Sequence, residues 1–359
     1  MRDAHVQFGI FDIMQVPPGT SSREAYAEHL ADVALVDELG LDYYFAAERH
    51  FMPHYRTPSP SVWLAACAAR TSRVRLGALA YVVPLHNPMR LAEEVVMLDQ
   101  LSDGRMEVGV GLGHRPEELV SLGIDPAVRQ LLMMEGIVLM QRAWRGERFQ
   151  FPGQVWQFSD LYVEAPVQRP FPPMWYAGND PQAAQWAARN GLSLAVGFQG
   201  TEQLAGPCVV YRVAVRERET PEPSQRLALM RHLYVAETDA QAEEEMTGDM
   251  MKLGDVFAAS PREVGAARPA NLSRADALRA VRRLRSQEVV LAGSVETCAR
   301  ALAAAARRLT LDVFLANPYL SGLDAARVQR TLRLYAGAVA PRVRELLAED
   351  HPDEPVAEG

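Results

Sequence analysis

Three consecutive residues, Glu48-Arg49-His50, follow the apolar run DYYFA (42–46) and put an acid, a cation and an imidazole into one loop. A carboxylate or an imidazole can move protons near neutral pH. A guanidinium stays protonated, so Arg49 cannot serve as a base. It can stabilise a peroxide or enolate anion, clamp an acidic substrate, or pair structurally with Glu48. The sequence leaves these roles open. His54, His86 and His114 fall on loops of the same kind. Glu48, His50 and His54 are close enough to raise a metal site, but their spacing on a loop is not diagnostic, and no metal is expected. The three cysteines, Cys67, Cys208 and Cys298, are odd in number and far apart. They imply neither a disulfide framework nor a thiolate site, and read as buried small hydrophobes.

These loops need elements to hold them, and the chain alternates short apolar runs with longer amphipathic ones. VQFGIF (6–11) reads as a first strand, followed by a turn at Pro17, Pro18 and Gly19 and a helix from Ser22 to Gly40. Further strands are predicted at 42–46, 74–79, 106–111, 174–177, 193–197, 227–236 and 311–316. A helix with proline in its first turn is expected over Pro88 to Ser102, and a closing helix over Leu323 to Leu347. In the former, Leu91, Val95, Leu98 and Leu101 would face the core, with Glu93, Glu94, Asp99 and Gln100 solvated; Gly104 would end it. Eight strands with intervening helices define the class as α/β, a (β/α)8 TIM barrel with insertions. No G-x-G-x-x-G follows the first strand, which a dinucleotide-binding doubly wound sheet would require. One domain is expected over 1–350, with a hairpin-like excursion at 147–172, a second of mixed helix and loop at 248–292, and a polar tail at 351–359.

In such barrels the chemistry sits where strands end. The exits are Phe11, Glu48 to His50, Leu79 to Tyr81, Gly111 to His114, Gly178 to Asp180, Gly197 to Phe198, and Ala316 to Tyr319. Glycines at 109, 111 and 113 are weak as a phosphate motif; their small size can let a flat ligand reach the backbone. With 37 basic and 45 acidic side chains the net charge is −8, which speaks against a nucleic-acid partner. No apolar run reaches the ~18 to 20 residues needed to cross a bilayer. Asp12 interrupts the N-terminal run and no cleavage site follows, so a cytoplasmic protein is expected.

Several of these exits resemble those of the luciferase-like flavin monooxygenases. The stretches are AERHF (47–51), RLGALAYVVPLHNPMRLAEEVVMLDQLSDGRMEVGVGLG (75–113), WYAGNDPQAAQWAARNG (175–191), YVAETDAQAEEE (234–245) and AGSVETCARAL (292–302). The resemblance implies FMN at the barrel mouth, used as FMNH2 from a separate flavin reductase, with O2 and a small organic substrate. It implies a cis peptide at Leu79–Ala80 under the ring. Cofactor contacts would come from Phe11, Leu79, Ala80, Gly111, Leu112, Gly178, Asn179, Asp180 and Phe198. Glu48, Arg49 and His50 would lie near the reacting edge, Arg49 standing where the luciferases carry a catalytic histidine. His50 would pack and hydrogen-bond.

The phosphate end departs from the family pattern: Leu112 replaces an arginine, and Asp180 and Ala183 replace hydroxyls. Asp180-Pro181 reads instead as a helix N-cap and first turn, with Arg115 a substitute anchor. Weak flavin binding follows. A homodimer through Val62, Trp63, Leu64, Val95, Val96 and Leu98 is implied as well. The alternatives are a flavin-poor homologue acting as a partner subunit or scaffold, and an enzyme using deazaflavin, for which no motif is found.

Overall fold

The computed structural model describes residues 6–16, 19–52, 54–218, 225–259, 272–319 and 325–349. The Pro17-Pro18 turn, the segment 260–271 of the second excursion and the tail at 351–359 lie outside the described residues.

Eight parallel strands close into a barrel, as the alternation predicts. They are β1 (Gln7–Asp12), β2 (Tyr43–Ala46), β3 (Arg75–Val82), β4 (Met106–Gly111), β7 (Met174–Ala177), β8 (Ser193–Gly197), β9 (Leu227–Val235) and β11 (Val313–Asn317). Pairing runs in that order, and β11 returns to β1, with Gln7 opposite Val313 and Ala316 opposite Ile10. Side chains alternate between two cores. Phe8, Ile10, Tyr44, Leu76 and Val108 face the helices. Phe11, Tyr43, Phe45, Leu79, Trp175, Met230 and Leu315 fill the lumen. At its base the buried Glu107 accepts from Trp175 Nε1 at 2.6 Å and from Arg75.

Two strands outside the ring, β5 (Phe149–Pro152) and β6 (Gln157–Leu161), form the antiparallel hairpin read from the aromatic-rich stretch after strand 4. A further strand, β10 (Val290–Gly293), pairs with His232 to Val235 of β9, beyond Met230 where the β8 pairing ends. It falls in a stretch predicted as helix and loop.

The helices begin where the caps predict. Ser21 and Glu24 form a reciprocal capping box for α1 (Ser22–Glu38). After α2 (Pro60–Ala68), Asn87 caps α3 (Pro88–Leu101), accepting from Met89 N–H at 3.0 Å. Gly104, at φ +74°, turns the chain out of α3 and donates to Asp99 O at 2.9 Å. Two assignments on α3 are corrected. Leu101 is exposed, whereas Asp99 is fully buried and accepts from the Gln168 N–H at 3.0 Å and Nε2 at 2.7 Å. The closing helix is α11 (Ala325–Leu334) and α12 (Ala340–Ala348), joined by a π turn over Tyr335–Val339.

Candidate active site

The exits of β2 and β3 are tied together by one carboxylate. Glu48 is buried, and its side chain accepts from Val82 N–H at 2.8 Å, His50 Nε2 at 2.8 Å and His86 Nε2 at 3.0 Å to each oxygen. Burial alone would raise its pKa, but the two imidazoles and the amide hold the carboxyl below its ordinary range. The same pairing raises the His86 pKa, overcoming the burial that opposes its charge. Glu48 therefore clamps the loop after β3 instead of offering a free oxygen to a substrate. His50 has the packing and hydrogen-bonding place expected of it.

Between those strands the Leu79–Ala80 peptide is cis, as the resemblance implies. The β3–β4 register breaks there, between Ala78 and Tyr81. Gly109 makes room for this backbone: a Cβ on it would lie 2.2 Å from Ala78 O and 2.9 Å from Leu79 Cδ1. Gly113 takes φ +74°, with a Cβ position 2.8 Å from Val82 Cγ1. These glycines therefore serve backbone approach and turning.

Arg49 sits at the mouth, half-buried. Its backbone N–H donates to Thr57 O at 3.0 Å, and Nη1 donates to Glu48 O at 3.0 Å. Among the described residues no carboxylate pairs with it, so the structural ion pair with Glu48 is not formed. Burial draws its pKa down while Tyr55 and Glu118 support the charge and Arg115 opposes it. Arg115 occupies the N-cap position of α4 (Pro116–Ser121) without a side-chain cap bond; its Nε lies 3.9 Å from Glu118 Oε1, and its buried Nη1 has no hydrogen-bond partner among the described residues. His114 is held below the usual imidazole range by desolvation and by these two guanidiniums. Arg115 thus belongs to a cationic rim with Arg49.

At the phosphate end the helix N-cap and first turn read from Asp180-Pro181 are formed. Asp180 is the exposed N-cap of α6 (Pro181–Arg189), accepting from Ala183 N–H at 2.9 Å. Asn179 spends its amide on Gly197, with both bonds at 3.0 Å, locking the β7 exit to the β8 exit. Leu112 packs against the outer core, and Gly178 lies against the Tyr176 ring. A residue the sequence reading missed stands here: Arg129, at the start of α5 (Arg129–Ala143), acts on the Tyr176 phenol together with Asp180, and its charge favours the phenolate that burial and Asp180 oppose. Its distance in sequence from the β7 exit hid it.

Across the mouth, Phe11, Leu79 and Phe198 line the lumen, with the Phe11 and Phe198 rings 5.9 Å apart. Ala80 is half-buried, and a Cβ on the buried Gly111 would lie 3.3 Å from Ala80 Cβ. His232 and Asn317 complete this side. Asn317 ends β11 and falls within the last exit read from the sequence, Ala316 to Tyr319. His232 was not singled out, although it stands two residues beyond Met230 on the lumen face of the same strand.

Fold and site together define a parallel-barrel protein whose strand exits bring apolar side chains, small glycines and the Arg49 and Arg115 cations to one end. The family model for luciferase-like monooxygenases matches residues 6–312, and the chain belongs to that family. An uncharacterized protein of Sinorhizobium fredii, y4wF, is 40% identical over 189 residues, 52% of this chain and 55% of that protein. The oxygenase component of a flavin-dependent trigonelline monooxygenase from Acinetobacter baylyi is 29% identical over 247 residues, 66% of this chain and 67% of that protein. The matches therefore span about half to two thirds of these curated relatives' length.

Among solved structures, the monooxygenase RslO1 from Streptomyces bottropensis superposes with a TM-score of 0.81 at 24% identity, covering 94% of this chain and 99% of that one. The oxygenating constituent of 3,6-diketocamphane monooxygenase from Pseudomonas putida, in complex with FMN, gives a TM-score of 0.79 at 22% identity, covering 94% and 98%. These likenesses show the fold. Among the described residues no helix is long and apolar enough to cross a membrane.

Proposed function

We propose that this chain is the oxygenase component of a two-component flavin monooxygenase. It would take reduced FMN from a separate flavin reductase and oxygenate a small organic substrate with O2 in the cytoplasm. The observation that carries this reading is Arg49: a cation with no carboxylate partner among the described residues, next to the Glu48 clamp that fixes the loop after the cis peptide. The names of the trigonelline and diketocamphane enzymes support it.

A flat ring would lie over the apolar strand exits. Leu79, Ala80 and Gly111 present backbone and small side chains to it, and Phe11 and Phe198 offer apolar walls. Arg129, whose charge acts on the Tyr176 phenol beside Asp180, is the basic group we would assign to the phosphate. Bound reduced FMN supplies the two electrons that O2 activation needs. The chain supplies the rest. Arg49 balances negative charge that develops at the mouth, where low polarity strengthens the interaction. Leu79, Phe11 and Phe198 keep water away from the reacting centre. His50 and His86 fix the Glu48 carboxylate, so neither strand exit shifts when the site fills.

The test is anaerobic titration with FMN and FMNH2, followed by reductase-driven oxygen consumption across a panel of organic substrates. Substrate-dependent oxygen uptake with an oxygenated product supports the reading. Binding of neither flavin form would sink it and favour a partner-subunit role, which the altered phosphate end also fits.

A further inference from the structure

We infer that His232 and Asn317 orient the organic substrate by hydrogen-bonding a neutral carbonyl oxygen at the barrel mouth. The inference rests on the monooxygenase reading and deepens it by naming a substrate class.

The two residues are direct register partners across the β9–β11 ladder. Met230 and Leu315, two positions earlier on each strand, line the lumen, so strand alternation turns His232 and Asn317 the same way. Neighbouring strands lie ~4.8 Å apart, which lets two side chains on one face converge on a single oxygen. Asn317 is fully buried, and its Oδ1 accepts from Tyr319 N–H at 2.9 Å. That bond identifies which end of the amide is nitrogen. Nδ2 is thereby left as a donor, buried and without a partner among the described residues. His232 Nδ1 is likewise buried and unpartnered, and neither ring nitrogen has a hydrogen-bond partner among the described residues.

Two unsatisfied buried polar groups side by side are costly and rare in a native fold. Here they sit among groups that shape a pocket. The Phe198 ring lies 5.1 Å from the His232 ring and 5.9 Å from that of Phe11. Phe198 is held at φ +58° in the loop after β8. Arg231, on the outer face of β9, steadies that loop by donating to Gln199 O at 2.9 Å. The aromatic wall and the two polar groups are therefore fixed relative to each other.

The electrostatics select the ligand. Burial pushes His232 down to about 4, and no charged group acts on it. The imidazole is neutral at pH 7, and Asn317 carries no charge. A carboxylate would gain no cation here and would lose its hydration, whereas a ketone gains two donors, from Nδ2–H and from the protonated nitrogen of the neutral ring. The cationic rim of Arg49 and Arg115 lies after β2 and β4, on other strands, so charge and neutral recognition are divided between two sides of the mouth.

The test uses the full chain with FMN present and calorimetric titration of cyclohexanone, acetophenone and benzoate. Both ketones are expected to bind, and benzoate to bind more weakly than acetophenone. His232→Phe should weaken the ketones by about tenfold or more, with FMN affinity unchanged within about twofold. Asn317→Asp keeps the acceptor for Tyr319 N–H and removes the donor, and should do the same. His232→Gln, which retains a donor, should recover most of the loss. Unchanged ketone affinity in folded His232→Phe and Asn317→Asp would overturn the assignment. So would a wild type that prefers benzoate, or one that binds FMN but neither ketone. Failure to bind FMN as well would remove the monooxygenase reading itself.

Discussion

Arg49 donates one guanidinium hydrogen bond to a backbone carbonyl and pairs with no carboxylate among the described residues. Its removal should therefore cost the fold one half-buried bond of about 1 kcal/mol, a Tm change within about 2 °C for a chain of this size. If it balances charge in the reaction, Arg49→Ala should lower turnover by ~10². Steady-state oxygen uptake and product formation, beside a melting curve, separate the two. Turnover that merely follows the folded fraction would end the charge-balancing role, and restored turnover in Arg49→His would point to a base at this position.

The Glu48–His86 pair makes a second prediction, read in stability. His86 has a raised folded pKa, so its contribution is full below about 6.5 and is lost as pH rises through the folded value. Glu48 is lowered, so its share is present above about 4.5 and is lost only as pH falls below that. Between pH 6 and 9 the urea midpoint of the natural protein should fall more than that of His86→Gln. Asp32 is pushed up to about 7 by burial and also loses stability as pH rises, but it does so in both proteins and cancels in the difference. Parallel curves for the two proteins would show that His86 gains no charge from Glu48.

At the scale of elements, the barrel was legible because each strand exit follows an apolar run bounded by turn residues. The helix α3 shows where the pattern stops deciding. At about 100° per residue, Leu91, Val95 and Leu98 cluster within about 60°, while Asp99 and Leu101 fall about 80° to either side. Periodicity ranks both flanks equally. Tertiary partners decide: the loop at Gln168 brings two donors to Asp99, and none of the described residues covers Leu101. The strand β10 was hidden for a related reason, since VLAG is too short to stand apart from a loop without β9 beside it. The site split in the same way. Glu48, Arg49 and His50 could be read from one loop, and His86, Arg115 and the exit at Asn317 were also legible, but that His86 binds Glu48 and that Arg129 and His232 stand at the barrel mouth emerge only through register and proximity.

The phosphate end is an element-scale matter too, because Asp180 is committed to capping α6 and Asn179 to bridging β7 and β8. Neither is free to donate to a phosphate. A lost charge-assisted hydrogen bond costs ~1.5 to 3 kcal/mol, so FMN should bind in the tens of micromolar or weaker, and the purified protein should be colourless. Leu112→Arg with Asp180→Ser should tighten FMN by about tenfold or more in a fluorescence titration. Copurified stoichiometric FMN in the natural protein would show that Arg129 or Arg115 has already taken over the anchor. Arg129→Ala and Arg115→Ala then identify which.

At the scale of the whole molecule, one face remains apolar after the barrel is built. The dimer surface expected from the sequence requires correction, since Trp63, Leu64, Val95, Val96 and Leu98 are all buried within the chain itself. Of that set only Val62 is exposed, at 73%. Met97 at 63% and Leu101 at 62% join it from α3, and Val138 at 53% from α5. The helix α3 packs against both α2 and α5, so these exposed side chains lie on three neighbouring helices, and we propose that they form one strip. Monomeric proteins seldom leave such a strip uncovered. A two-fold axis through α3 would let the same strip cover itself, each Met97 and Leu101 meeting the partner's strip. A stable pair needs more than about 1,000 Å² in total, which the three helices can supply with their polar flanks as rim. The natural protein should therefore run as a homodimer at micromolar concentration in light scattering. Met97→Glu with Leu101→Glu should give a folded monomer with the same far-ultraviolet dichroism, because both side chains point away from the chain's own core. A monomer in the natural protein, or a dimer that survives both charges, would place the contact elsewhere.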